Sequence, residues 1–358
     1  MITAIGLMSG TSADGVDAAI IRTDGVRVAE TGGFLTLATP GMLRQDLLSL
    51  MHAPARAEHD GLEQLEAATT DLHAEAVRRL LAQERLSPAQ IDVIGFHGQT
   101  VLHRPERRLT RQLGDGARLA QALGITVVNQ FRHADVASGG QGAPLVPLFH
   151  AALARDLAGP LAVLNLGGVG NVTYLDGETI LAFDTGPGNA LIDDWIGRHT
   201  GAGYDADGRI AGSGHVNAAA LAALLAHGFF DRTPPKSLDR NAFSPAPVEH
   251  LSLEDGAATL AAFTAQAVGR AREHLPAMPT RWLVAGGGRH NPALMQRLRD
   301  ALGVPVEAVE VVGWNGDALE AQAFGFLAVR SLRGLPLSLP GTTGVPMPMP
   351  GGVVHRAA

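Results

Sequence analysis

The sequence predicts an α/β fold made of two copies of one β-β-β-α-β-α-β unit, and two sets of matching segments predict it. Ile2–Gly25 reads as a strand (ITAIGLM), a small-residue loop (SGTSADG), a returning strand (VDAAIIR) and a turn at Asp24-Gly25; Leu161–Gly177 follows the same plan with LAVLNL, GGVG, NVTYL and Asp176-Gly177. Ala89–Phe96 (AQIDVIGF) is then matched by Pro279–Ala285 (PTRWLVA), and Ala117–Val128 (ARLAQALGITVV) by Gln296–Val306 (QRLRDALGVPV). Single apolar matches arise by chance. Several in one order imply an internal duplication.

Each element has a local reason. The two hairpins alternate apolar strands with Gly-rich tips, and small residues there let backbone N–H groups converge on an anion. Facing each other, two such tips would grip a polyphosphate from both sides. Helices are expected near Pro40–Met51 and Leu62–Arg85. The paired amphipathic helices each stop at an Ala-Leu-Gly before a β-branched strand. A Gly-rich connector, Ala137–Pro147 (ASGGQGAPLVP), is expected to act as part of a hinge. Gly201–Gly214 and Phe230–Pro247 read as irregular insertions. These features place a first lobe at 1–130, completed by the tail at about 335–358, and a second at 131–334.

Composition narrows the function. A formal charge of −7 gives no reason to expect nucleic acid as a partner. No apolar stretch reaches the roughly 18–20 residues of a membrane span, and no leader peptide is visible, so a soluble cytoplasmic protein is expected. With no cysteine there is no disulfide framework and no thiolate metal site. The one lysine, Lys236, lies outside any P-loop or kinase strand context. Asn165–Asn171 (NLGGVGN) is followed by strand-like residues, which argues against a dinucleotide fingerprint. If nucleotide is bound, amides, hydroxyls and a metal must neutralise its phosphates.

Gly6–Asp17 (GLMSGTSADGVD), Gly95–Thr100 (GFHGQT), Ala137–Pro147, Asn165–Asn171, Phe183–Asn189 (FDTGPGN), Gly286–Asn291, Gly313–Leu327 and Leu339–Val345 (LPGTTGV) together resemble the 1,6-anhydro-N-acetylmuramic acid kinases. The resemblance covers nearly the whole chain. It implies two ribonuclease-H-like lobes of the hexokinase, actin and sugar-kinase superfamily around a central ATP cleft. It implies ATP and Mg²⁺ as cofactors, a homodimer, and a sugar as substrate. The implied reaction opens the 1,6-anhydro ring and phosphorylates O6, giving N-acetylmuramate 6-phosphate in peptidoglycan recycling. Other readings are a different sugar or carboxylate kinase of the same superfamily and a nucleotide-switched ATPase of the actin or heat-shock type.

Under this resemblance Ser9, Gly10, Thr11, Ser12, Ala13, Asp14, Gly15, Val16 and Asp17 form the first phosphate loop, with Asp14 and Asp17 as water-mediated Mg²⁺ ligands. Asp14 also suits an ordinary Asp-Gly turn. Asn165, Gly167, Gly168, Gly170 and Asn171 form the second loop, or a plain hairpin with Gly at positive φ. Gly286, Gly287 and Gly288, between a strand and a helix, suit an adenosine shelf. Asp184, delivered by a strand ending at Phe183, is the candidate base for water at C1; its competing role is a helix cap. Glu320, His97 and Gln99 are candidate sugar contacts, and Glu320 also fits a first-turn helix acid. Arg132 would pair the lactyl carboxylate or instead Asp135. Two departures from the family pattern are Gln130 and the run Leu238-Asp239-Arg240-Asn241.

Overall fold

The computed structural model describes residues 1–59, 61–240 and 242–357; Asn241 and the terminal Ala358 lie outside the described residues. The chain opens with β1 (Ile2–Ser9), β2 (Gly15–Thr23), β3 (Val28–Ala38), α1 (Gly41–Met51), α2 (Pro54–Ala57) and α3 (Glu63–Glu84). Then come β4 (Val93–Arg104), β5 (Leu109–Leu113), α4 (Gly116–Leu123), β6 (Val127–Asn129), α5 (His133–Ala137) and α6 (Pro147–Leu153). The second copy begins with β7 (Leu161–Leu166), β8 (Val169–Asp176) and β9 (Thr179–Pro187), followed by α7 (Ala190–Thr200), α8 (Arg209–Ser213), α9 (Ala218–Leu225) and α10 (Leu253–Ala271). It closes with β10 (Arg281–Ala285), α11 (Pro292–Leu302) and β11 (Val306–Ala308). Last are α12 (Leu319–Leu332), α13 (Pro340–Thr343) and β12 (Val353–His355).

Two sheets result, and they share one topology. The first runs β12-β6-β4-β1-β2-β3, with β5 also on β4; the second runs β11-β10-β7-β8-β9. In both, three strands form an antiparallel meander (β1-β2-β3 and β7-β8-β9), a fourth (β4 or β10) pairs parallel to the first, and a fifth (β6 or β11) pairs parallel to the fourth; β5 and β12 are antiparallel additions to the first sheet. The matching helices start and stop alike. Asp115 and Asn291 accept the N–H groups of Arg118 and Leu294 at 2.9 and 3.0 Å, and Gly124 and Gly303 end the helices at φ +67° and +68°.

Packing divides the chain into Met1–Asp156 with Ala318–Ala358, and Leu157–Asp317. Residues 131–156 and 318–334, read from the sequence as second-lobe, therefore pack with the first. The Gly-rich connector lies inside this first unit, where Gln141 N–H bonds Thr343 O at 2.7 Å. The tail also packs there, with β12 antiparallel to β6.

The first unit buries Ile5, Leu7, Val77, Leu80, Phe96 and Leu119 on one side of its sheet. On the other side α12 contacts β1, β2 and β4. A Cβ on Gly6 would collide with the Ala321 carbonyl oxygen, and one on Gly95 with that of Phe324. The helix thus rests on the bare backbone of two central strands. Arg330 fixes its far end by donating to Gly25 O and Pro336 O, both at 2.6 Å. In the second unit Leu164, Phe183, Trp282 and Leu298 fill one cluster, while Trp195, Phe229, Phe243 and Phe263 of α10 fill another. No helix among the described residues is long and apolar enough to cross a membrane.

Gly95→Ala is expected to lower unfolding free energy by about 1–3 kcal/mol through overpacking, whereas Gly203→Ala, which would meet nothing within 4 Å, should stay within about 0.5 kcal/mol. Urea denaturation of both variants checks the pair.

Candidate active site

Three polar residues line up across the second sheet. Asn165 on β7 faces Asn171 on β8, and Asn171 faces Asp184 on β9. Directly opposed residues present their side chains to the same face, so an amide, an amide and a carboxylate form one row. Asn171 Oδ1 is buried without a hydrogen-bond partner among the described residues. A buried acceptor left this way costs free energy unless something outside the chain satisfies it. Asp184 is 9% exposed. It lies inside β9, which continues to Pro187 instead of ending at Phe183. Its N–H donates to Lys236 O at 3.0 Å, and its Oδ2 accepts from Leu238 N–H at 2.7 Å. The next helix starts from Asn189, so Asp184 is not its cap.

The adjoining Gly167-Gly168 tip is no ordinary positive-φ turn. Gly167, Gly168 and Gly170 are not among the positive-φ glycines. Side chains at Gly167 and Gly168 would meet nothing closer than 3.8 and 3.6 Å, so packing does not require glycine at either position. The backbone there is open enough for close approach of another molecule. Gly170 is different, because a Cβ there would lie 2.7 Å from Thr185 Oγ1. The tip is anchored through its carbonyls: Gly167 O takes Asn189 N–H at 2.7 Å and Gly168 O takes Gly188 N–H at 3.0 Å.

Two of the three glycines after β10 are steric. A Cβ on Gly286 would lie 2.7 Å from the Leu166 backbone, and one on Gly288 would lie 2.6 Å from Leu166 Cβ. Only Gly287 is exposed, with its nearest atom at 3.8 Å. The turn is pinned by Arg289, which donates to Gly286 O at 3.0 Å and pairs with Glu310 and Asp317, each at 2.8 Å.

In the first unit the loop after Ser9 is held from below. Gly10 O accepts from Ala13 N–H at 3.0 Å and from the Gln99 side chain at 2.9 Å, while Ser9 donates to Gly98 O at 3.3 Å. Ala13 is buried at φ +50°. Val16 is buried in β2, and Gly15 sits where a Cβ would meet Thr36 at 3.0 Å. Thr11 and Asp14 are exposed, and Ser12 donates to Asp14 Oδ1 at 2.7 Å. Asp17 Oδ1 accepts from Thr36 at 2.6 Å. No group of three or more His, Asp or Glu able to enclose a metal occurs among the described residues. Asp14 and Asp17, two carboxylates near one loop, are a donor set that fits Mg²⁺, an ion that usually keeps several waters.

His97 and Gln99 lie within β4, which runs on to Arg104 rather than ending beside them. Both are buried. Arg132 Nε donates to His97 Nε2 at 3.1 Å, and His97 Nδ1 lies 2.7 Å from Gly98 O. Because guanidinium only donates, the His97 proton is assigned to Nδ1. Burial, then the Arg132 charge, hold His97 well below its ordinary pKa. Arg132 also donates to Gly142 O at 2.7 Å. Asp135 accepts from Gly142 N–H at 2.6 Å and from the hydroxyls of Ser338 and Thr343. Glu320 lies half-buried in the first turn of α12.

The sequence pattern of the anhydro-N-acetylmuramic acid kinase family matches residues 2–357. The chain belongs to the anhydro-N-acetylmuramic acid kinase family. The anhydro-N-acetylmuramic acid kinase of Rhodospirillum rubrum is 57% identical over 359 residues, covering 100% of this chain and 95% of that protein. The kinase of the same name from Acidiphilium cryptum is 57% identical over 360 residues, covering 99% and 98%. Among solved structures, component A of the Acidaminococcus fermentans (R)-2-hydroxyglutaryl-CoA dehydratase matches with a TM-score of 0.51 at 10% identity, over 93% of this chain and 100% of that one. That likeness extends to the fold alone.

Within this family member, three residues to which the motifs give no role support the loop at Asn165–Asn171. Asn189 donates to Leu166 O at 2.9 Å, and Thr264 to Gly188 O at 2.8 Å. Arg240, one of the departures, pairs with Asp194 at 2.8 Å, and a Cβ at Gly168 would lie 4.0 Å from its Cδ. An Asn heading a helix was the one local signal; the other two are contacts between distant segments.

His103 holds the connector at Gln141 O, 2.9 Å away, and burial lowers it from 6.5 to about 4. The unfolded chain takes up this proton as pH falls through 6.5 while the folded one does not until about 4, so stability is lost across that window. Wild type should lose up to about 1.4 kcal/mol per pH unit more than His103→Gln between about pH 6 and pH 4.5, read from urea midpoints.

Proposed function

We propose that this chain uses ATP and water to convert 1,6-anhydro-N-acetylmuramic acid into N-acetylmuramate 6-phosphate and ADP, in peptidoglycan recycling. Family membership supports the reaction. The observation that carries its chemistry is the Asn165–Asn171–Asp184 row, with its unmatched buried acceptor and its oriented carboxylate.

In this reading Asp184 takes a proton from the water that attacks C1. The C1–O6 bond breaks, and O6 attacks the γ-phosphorus as the bond to the β-phosphate oxygen breaks. One base and one positioned nucleotide serve both steps. The loops at Ser9–Asp17 and Asn165–Asn171 hold the phosphates, and the open backbone at Gly287 takes the adenosine side. Asp14 and Asp17 would hold Mg²⁺ through water, and the ion would neutralise phosphate charge. Glu320 and Arg132 contact the sugar. His97 serves that site by bracing Arg132, and Gln99 serves it by bracing the first loop. The same resemblance supports a cytoplasmic homodimer. A rival kinase needs no water-activating carboxylate at this position, and a nucleotide switch would hydrolyse ATP without sugar.

The deciding assay follows the product by mass spectrometry in ¹⁸O-water with ATP, Mg²⁺ and the anhydro sugar. Wild type should yield a phosphorylated, opened sugar with ¹⁸O at C1, and Asp184→Asn should lower its rate by about 10²-fold or more. ADP formed without sugar product would reject the reading. Asp14→Asn should raise the Mg²⁺ concentration needed for half-maximal rate while leaving stability within about 0.5 kcal/mol.

A further inference from the structure

Lys236 is the chain's one lysine, and it is 4% exposed. Its Nζ lies 4.6 Å from the Phe229 ring centroid and 6.0 Å from that of Phe183, the residue before Asp184. It donates to Phe229 O at 3.4 Å and lies 3.3 Å from His274 Nε2. The His274 ring meets Phe183 edge-on at 5.7 Å. Burial first, and then the Lys236 charge, lower the His274 pKa, and because an ammonium only donates, the facing Nε2 is the acceptor. Burial, with Arg232 adding, also lowers Lys236 itself, against Asp231 and Glu273. Every other Lys or Arg position holds arginine. A compact ammonium fits between a ring face and an imidazole where a planar fork does not.

The main chain of the same segment holds Asp184 at both ends. Lys236 O takes the Asp184 N–H, and Leu238 N–H bonds Asp184 Oδ2. Residues 236–239 belong to no helix or strand, so their placement comes from tertiary anchors. We propose that the Lys236 side chain, seated between Phe229 and His274, anchors this strap and aims the Asp184 carboxylate, making it a positioning residue of the reaction. The proposal rests on Asp184 being the base.

A double-mutant cycle tests it. Lys236→Met should lower kcat by about 10- to 100-fold, part of what a positioned base provides, with KM for ATP and for sugar within about 3-fold. Combined with Asp184→Asn it should add no further loss, because both act through one carboxylate. Losses that multiply in the double variant, a wild-type kcat in Lys236→Met, or a fall expressed mainly in KM would overturn the proposal. An Asp184→Asn enzyme at wild-type rate would instead overturn the base reading. Should Lys236→Met not fold, Lys236→Gln, which keeps a donor for Phe229 O, enters the same cycle. There a roughly 3- to 10-fold loss absent from the Asp184→Asn background is expected, and full kcat or multiplying losses count against the anchor.

Discussion

The first unit depends on one close approach, the seating of α12 on the backbone of β1 and β4 at Gly6 and Gly95. Glycine inside a strand weakens it, so both positions lower local stability. The return is a helix lying directly on the sheet, burying Phe324 and Phe326. The two strands so covered lead to the functional segments: β1 ends at Ser9, where the first loop starts, and β4 carries His97 and Gln99. Glu320 sits on the helix itself. A shift of α12 would therefore move the loop after Ser9, Gln99 beneath it and Glu320 together.

Duplication built the two sheets alike, and their chemistry then diverged. The row Asn165–Asn171–Asp184 has its counterpart in Met8–Asp17–Thr36. In the first copy an acid on the middle strand is met by a hydroxyl on the edge strand at 2.6 Å. In the second the acid is on the edge strand and the middle position is an amide with a buried unmatched oxygen. The same three strand positions thus carry a bonded acid–hydroxyl pair in one unit and an amide–amide–carboxylate row in the other.

Neighbours from distant segments decide what several single residues do. Three consecutive glycines look alike in a sequence, yet Gly286 and Gly288 make room for Leu166 while Gly287 is open. His97 and Gln99 look like side chains at a strand end, yet both lie buried within a longer strand, where Gln99 bonds Gly10 O and His97 takes a bond from Arg132. Arg132 and Asp135 suggest an ion pair by proximity, and each grips Gly142, Arg132 through its carbonyl and Asp135 through its N–H. Lys236 drew attention only for the motifs it excluded.

By itself the sequence determined what local physics controls: the two hairpins, the capped helix–strand pairs, the order of the duplicated elements and the motifs that mark the family. Strand alternation, Asp or Asn caps and left-handed glycines act over a few residues and are therefore visible in any short window. Tertiary structure decided that residues 131–156 and α12 pack with the first unit, and that Asp184 is held by a strap 54 residues away. Those outcomes rest on contacts between segments far apart in the chain, where burial and hydrogen bonding select the partner and no local pattern records the choice.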